Sequence, residues 1–356
     1  MKQSIYELLR ELTALDGVSG QETQVVRRLA EIIRPGVDEV TVDQMGNLYA
    51  FRRGPRPGPT LALFAHSDEI GMVVKSIDPN GFIRFHTIGG TPPAVLPART
   101  VRIAGRHLGV IGIKPGHYQT AEDVSRVKSV AESYVDVGAR SAAEVDAMGI
   151  RVGDPIVLVA PLTRLTHNSD LVFGKGVDNR IACALLARLF LDDINVPAGA
   201  CVGVVTVQEE VGQRGARVAA HRLQPNLAIV VDTMPAAGTP DMRRDVELDV
   251  TMGSGPVFQL MTRGYLMPPG VRNFLTQVAE AEGIPYQTST ANTSNTDAAV
   301  IQVADKGIHT GIIALPRRYS HSPVEMLDLN DAANALRLLK AIVGQIEELP
   351  EMGLVD

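Results

Sequence analysis

Cysteine is nearly absent from this chain: among 356 residues there are two, Cys183 and Cys201. Both sit in apolar runs, which excludes a disulfide framework and predicts buried free thiols. No stretch approaches the ~18 consecutive apolar residues of a membrane span, so no membrane partner is expected. The opening residues Met1-Lys2-Gln3-Ser4-Ile5-Tyr6-Glu7, soon followed by Arg10 and Glu11, lack the apolar core of a secretory signal. A basic excess is missing too. Against 40 Asp and Glu stand 34 Lys and Arg, a formal charge of −6, which argues against nucleic acid as a partner. No internal repeat or low-complexity linker is found. With 45% hydrophobic and 21% charged residues, the chain reads as a cytoplasmic globular protein long enough for two domains.

The apolar pattern gives an order of elements. Ser4 to Leu15 has helical spacing, broken by Gly17-Val18-Ser19-Gly20. Ser19 and Glu22 have capping-box form and predict a second helix to Ile33, stopped by Pro35-Gly36. Val40 to Phe51 reads as two short strands around Met45-Gly46-Asn47. From Gly71 to Val159 short β-like pieces dominate: 72–77 and 82–86 around Pro79-Asn80-Gly81, then 101–103 and 109–113. Only Ser141–Met148 looks helical there. Beyond Asn168, strands and helices alternate: helix 181–191, strand 201–207, short helix 216–221, strand 227–232, helix 271–282, strand 312–315 and helix 332–348. Such alternation predicts one α/β domain with a largely parallel core sheet, interrupted by a β-rich insertion between His66 and Asp178.

Three apolar strand-like runs end on metal-ligand residue types. Thr60–Ala65 runs into His66 and Asp68, Cys201–Val207 into Glu209-Glu210, and Leu227–Val231 into Asp232. Carboxyl ends of neighbouring strands share one sheet edge, where ligands collect. Histidine with several carboxylates and no cysteine suits Zn²⁺, Co²⁺ or Mn²⁺. Each candidate has a plainer reading beside the functional one. His66 can be a satisfied structural histidine and Asp68 a turn acid, although their i, i+2 spacing puts both on one strand face, where Asp68 can orient the imidazole. Glu209-Glu210 can be a solvated strand end; otherwise one carboxylate binds metal while its neighbour serves as general base. Asp178, in Lys175-Gly176-Val177-Asp178-Asn179-Arg180, can cap the helix that follows or bridge two metals. Asp232 is equally ambiguous, and His321 lies in a polar loop where histidines are commonly just exposed.

Together these residues carry a resemblance. His66-Ser67-Asp68-Glu69-Ile70-Gly71, Asp178-Asn179-Arg180, Gln208-Glu209-Glu210-Val211-Gly212, Val231-Asp232 and Tyr319-Ser320-His321-Ser322-Pro323 follow each other as in the M42 family of metallo-aminopeptidases. Gly89-Gly90, Val95-Leu96-Pro97, Gly109-Val110-Ile111-Gly112 and Asp136-Val137-Gly138-Ala139 look like landmarks of its inserted segment. Any one motif is modest; five in register are highly specific. The resemblance implies a phosphorylase/hydrolase-like α/β catalytic domain over residues 1–69 and 165–356, with a PDZ-like inserted domain over 70–164 for dimerisation or as a lid. It implies self-assembly, often into a tetrahedral dodecamer, with a dimer as the smaller form. Two divalent cations, Zn²⁺ or Co²⁺ with Mn²⁺ as a further candidate, would be held by His66 and Asp232 on one side and by Glu210 and His321 on the other. Asp178 would bridge them, Glu209 would be the general base, and Asp68 would support His66. The family commonly has a second acid where Asn179 stands, frequently methionine where Ser67 stands, and a more glycine-rich run where Thr293-Ser294-Asn295 precedes Thr296-Asp297.

The expected reaction is hydrolysis of the amino-terminal bond of short peptides. A glycosidase is the rival within hydrolases, but its carboxylates must flank a bond across at least about 5 Å, which adjacent glutamates do not suggest. A catalytically silent assembly protein would have lost Glu209 or the histidines. A metal-dependent amidohydrolase or deacylase acting on a non-peptide metabolite is the remaining alternative.

Overall fold

The computed structural model describes residues 1–244 and 246–349. The expected catalytic part runs to residue 356, so its last stretch, 350–356, lies outside the described residues. Helix α1 (Lys2–Ala14) buries Ile5, Leu9 and Leu12, one apolar stripe at helical spacing. Helix α2 (Thr23–Ile33) does the same with Val25, Val26, Leu29 and Ile33. The expected capping box does not form. Ser19 donates its hydroxyl to Asp68 Oδ2 at 2.6 Å, and Glu22 Oε1 accepts from Gly20 N and Gln208 N, so both side chains serve the sheet edge rather than the helix.

Strands β1 (Glu39–Val42) and β2 (Leu48–Arg53) are the two expected short strands and pair antiparallel, followed by β3 (Thr60–His66). Six strands then close a barrel in the order β4 (Gly71–Ile77), β5 (Ile83–Ile88), β8 (Val135–Asp136), β7 (His107–Ile111), β6 (Thr100–Ile103) and β9 (Pro155–Leu158). Its own apolar centre includes Met72, Ile83, Phe85, Val101, Ile103 and Ile156. Between β7 and β8 lies a short helix that the sequence reading lacks, α3 (Ala121–Ser125), held by reciprocal Thr120 and Asp123 caps; five residues are too few to show a period. Helix α4 (Ala142–Ala147) starts at the Ser141 cap.

The chain returns to the large sheet through β10 (Thr163–Arg164) and β11 (Leu171–Gly174) and enters α5 (Val177–Leu191). There follow β12 (Ala200–Thr206), α6 (Arg214–Leu223), β13 (Leu227–Pro235), β14 (Val257–Gln259) and a hairpin of β15 (Met261–Thr262) and β16 (Tyr265–Leu266). The last elements are α7 (Pro269–Ala281), β17 (Gln287–Ser289), α8 (Ala298–Ile301), β18 (Thr310–Arg318), β19 (Glu325–Asp328) and α9 (Leu329–Gly344). The sheet runs β1-β2-β12-β3-β13-β18-β19-β11-β10, with β14 attached at β18 and β17 paired to β14. Its centre, β12-β3-β13-β18, is parallel as expected. The flanks are antiparallel, so the sheet is mixed rather than largely parallel. Central strands are buried nearly end to end, the reason they read as continuous apolar runs. Helix α5 packs against α1, α2, α9, β3 and β13. Cys183 and Cys201 are buried and free.

Candidate metal centre

Register brings the three strand ends together. Thr206 pairs with His66 across β12 and β3, and Asp232 pairs with Ala314 across β13 and β18. The carboxyl edge therefore gathers His66, the Glu209-Glu210 turn, Asp232 and the β18 loop with His321. Gln208 and His321 have left-handed backbone, φ 57° and 54°, a conformation that costs roughly 1–2 kcal/mol in a non-glycine residue and clusters at functional sites.

Both histidines present Nε2 to carboxylates. His66 Nδ1 lies 3.2 Å from the Asp68 carbonyl oxygen and donates there, with the Asp68 carboxylate 3.4 Å away. That leaves Nε2 facing Asp178 Oδ1 at 3.2 Å and Asp232 Oδ1 at 3.7 Å. His321 Nδ1 donates to the Gly90 carbonyl at 3.1 Å, and its Nε2 faces Glu210 Oε1 at 3.4 Å and Asp178 Oδ2 at 3.5 Å. A side chain at Gly90 would put a Cβ 2.8 Å from His321 Nδ1, and one at Gly89 would stand 3.1 Å from Glu210 Cβ. The glycine pair lets the loop after β5 reach the site. Two groups of three ligand atoms result, His66–Asp178–Asp232 and Asp178–Glu210–His321, each within 4.8 Å of one another. Each sets a histidine nitrogen among carboxylate oxygens, and Asp178 Oδ1 is buried without a hydrogen bond. Such a cluster needs protons or a cation between its members, and both donor sets fit a divalent metal.

Asp178 is not a helix cap. Regular helix in α5 begins after Asn179, and the Asp178–Asn179 peptide bond is cis. Its Oδ2 is held by Arg317 Nη2, while its amide donates to Glu325 Oε2 at 3.0 Å. Asn179 gives its Nδ2 hydrogen to the Val231 carbonyl at 2.9 Å, and its Oδ1 is buried without a hydrogen-bond partner. Asp68 does more than face His66: Oδ1 accepts from Glu209 N and Oδ2 from Glu210 N and Ser19 Oγ, so one buried carboxylate sets the backbone of the glutamate pair. Arg317, Glu325 and Asp297 were not singled out from sequence. Arg317 stands in β18 four residues before His321 and Asp297 in the Thr296-Asp297 pair; Glu325, four residues past His321, carries no signal of its own.

Burial raises Glu209 well above the usual carboxylate range, His66 opposing and Asp297, Glu210 and Asp232 adding to the rise. Burial and Asp178 push Glu210 up to about 8. Burial likewise raises Asp232, and takes Asp297, which accepts from Thr206 Oγ1, up to about 7. Asp178 goes the other way: against burial, Arg317 and the two histidines hold it well below the usual range. Burial would lower His321, but Asp178 and Glu210 carry it up to about 9. These shifts mark a centre with more acid than it can ionise without added positive charge. It opens into a cavity of about 620 Å³ whose walls include Gln213, Thr233, Arg263, Thr293 and Asn295.

Two histidine–carboxylate triads sharing one aspartate, beside a glutamate outside both triads, are an arrangement suited to a metal-dependent hydrolase. The model of the M42 glutamyl aminopeptidase family matches residues 46–338, and the chain belongs to that family of metal-dependent aminopeptidases. It is 33% identical over 353 residues to the lysyl aminopeptidase of Pyrococcus furiosus, covering 98% of both chains. The solved aminopeptidase APDkam598 from Desulfurococcus kamchatkensis has a TM-score of 0.93 and 33% identity over 99% of both chains. A Pyrococcus horikoshii TET1 peptidase, which can assemble into a tetrahedron or a large octahedral shell, has a TM-score of 0.85 and 27% identity, with 95% of this chain and 99% of that one covered.

Proposed function

We propose that the protein removes amino-terminal residues from short peptides, using two divalent cations held by His66 and Asp232, by Glu210 and His321, and by Asp178 between them. Zn²⁺ or Co²⁺ suits the donors best, Mn²⁺ next. The observation that carries the reading is the pair of three-donor groups meeting at Asp178, with Glu209 adjacent and outside both. When bound, such ions polarise a carbonyl and lower the pKa of water. Glu209 takes the proton of the attacking water and returns it to the departing amine. Gln213 Nε2 donates to Glu209 Oε1 at 3.1 Å and Asp68 holds its amide, so the base is oriented from both ends. The neighbouring carboxylates offer acceptors to a free ammonium group, which an internal peptide bond lacks. That difference favours exopeptidase action.

The division at residues 69/70 and 164/165 is supported by the barrel's separate apolar centre. We assign this PDZ-like insertion a dimerisation or lid role, because its Gly89-Gly90 loop touches the site while Leu108, Val110, Tyr118 and Val124 stand exposed. Self-association into a dodecamer, or a dimer as its building block, is supported by the shells described for the TET1 peptidase. Two unpaired thiols suit the reducing cytoplasm, and no helix among the described residues is long and apolar enough to cross a membrane.

A panel of aminoacyl chromogenic substrates run with Zn²⁺, Co²⁺ and Mn²⁺ tests the activity, with metal content measured in parallel. Glu209→Gln is expected to keep its metal while turnover falls about 100-fold or more, whereas Glu210→Gln weakens metal binding. Near-normal turnover in Glu209→Gln, or activity surviving a chelator, overturns the reading; chelator-resistant cleavage of glycosides would favour a glycosidase. Activity confined to acylated metabolites would favour the amidohydrolase.

A further inference from the structure

We propose that Arg317 is a resident counter-charge that makes the two donor groups unequal, so that divalent cations fill His66–Asp178–Asp232 tightly and Asp178–Glu210–His321 weakly. This rests on the reading that both groups hold metal. Asp178 alone belongs to both, and it offers them different oxygens: Oδ1 lies beside His66 Nε2 and Oδ2 beside His321 Nε2. Arg317 occupies Oδ2 only. The first group therefore keeps an uncommitted oxygen, and the second shares its oxygen with a full positive charge.

A carboxylate oxygen has two lone pairs and can take a guanidinium and a metal together. Its electron density is then divided, and two cations face each other in an interior that screens them poorly. Arg317 cannot easily swing aside. Its side chain is 4% exposed, Nη1 donates to Glu325 Oε1, and Nε donates to Thr233 Oγ1 at 2.7 Å. Glu325 in turn accepts the backbone amides of Asp178 and His321, so moving the guanidinium would disturb both groups. Arginine stays protonated throughout the working pH range, which makes the counter-charge permanent rather than pH-gated.

Metal-stripped protein titrated calorimetrically with Co²⁺ and with Zn²⁺ tests this directly. The native chain should bind in two steps with dissociation constants about tenfold or more apart, equivalent to about 1.4 kcal/mol. Arg317→Met should tighten the second step about tenfold or more and leave the first nearly unchanged. Arg317→Lys, which keeps the charge, should retain the separation. If Arg317→Met fails to fold by circular dichroism, Arg317→Gln is judged by the same criterion. Two equal steps in the native chain, or a folded neutral variant whose second step is unchanged or weaker, overturn the proposal. Glu210→Gln and Asp232→Asn separate this from failure of the metal assignment: the first should abolish the weak step and the second the tight one. If neither changes the titration, the donors themselves are wrong.

Discussion

Asp331 sits in the first turn of α9 with its carboxylate buried between two glycine amides, Gly253 N on Oδ2 and Gly255 N on Oδ1, both at 2.7 Å. Burial dominates and carries it from 3.8 up to about 6, the two amides opposing and Asp328 adding to the rise. The folded chain thus holds a proton that the unfolded chain has already lost. Stability contributed here is present below the unfolded pKa and lost as pH rises from about 4 to about 6, roughly 2–3 kcal/mol in all. Urea midpoints at about pH 4 and about pH 7 should show this fall in the native chain and a shallower one in Asp331→Asn. Equal slopes in the two proteins would discard the assignment. Residues of this kind leave little trace in sequence. His66, Asp178, Glu209, Glu210, Asp232 and His321 were legible because each follows or precedes an apolar run, and the structure brings all six to one edge. Arg317 and Glu325 were not, since an arginine and a glutamate near a strand end look solvated until their partners are known.

Among the elements, α5 shows how one helix can fix several loops. Arg180, wholly buried, donates to the carbonyls of Ser67 and Leu12 and pairs with Glu69, which also holds Lys175 and the Gly17 amide. The end of α1, the loop after β3 and the entry to α5 are joined through this one guanidinium. Arg180→Met strands the carbonyls and leaves Glu69 with a single cation, so denaturant unfolding should register a loss of about 3–5 kcal/mol; a loss under about 1 kcal/mol would mean the network contributes little. The helices and central strands were readable because α1, α2 and α9 carry apolar stripes and β3, β12 and β13 are covered on both faces. Flanking strands such as β10 and β19 were not. They are short, partly polar and defined by antiparallel partners far along the chain, and pairing between distant segments has no local period to detect.

For the whole molecule, the inserted barrel leaves the metal edge at β3 and returns to it at α5, with Gly90 against His321. If copies assemble through the exposed apolar side chains of the barrel, the sites face a restricted space. Light scattering should then report a species much larger than one chain, and cleavage should fall steeply with peptide length while folded proteins resist. A monomer that trims folded proteins as readily as short peptides would exclude that arrangement. The presence of an insertion was legible from the change to short β-like pieces after His66; its closure into a barrel was not, because β4–β9 pairing spans nearly the whole insert.

The order of the large sheet also bears on synthesis. Strand β12 lies between β2 and β3, antiparallel to one and parallel to the other. As the chain leaves the ribosome, β2 and β3 emerge early, yet their native partner is residues 200–206, delivered only after the entire barrel and α5 have appeared. Until then two apolar strands carry unpaired backbone edges, the exposure that favours wrong association. The nascent chain passes through a long interval in which the two strands that will flank β12 keep their sides open to other chains.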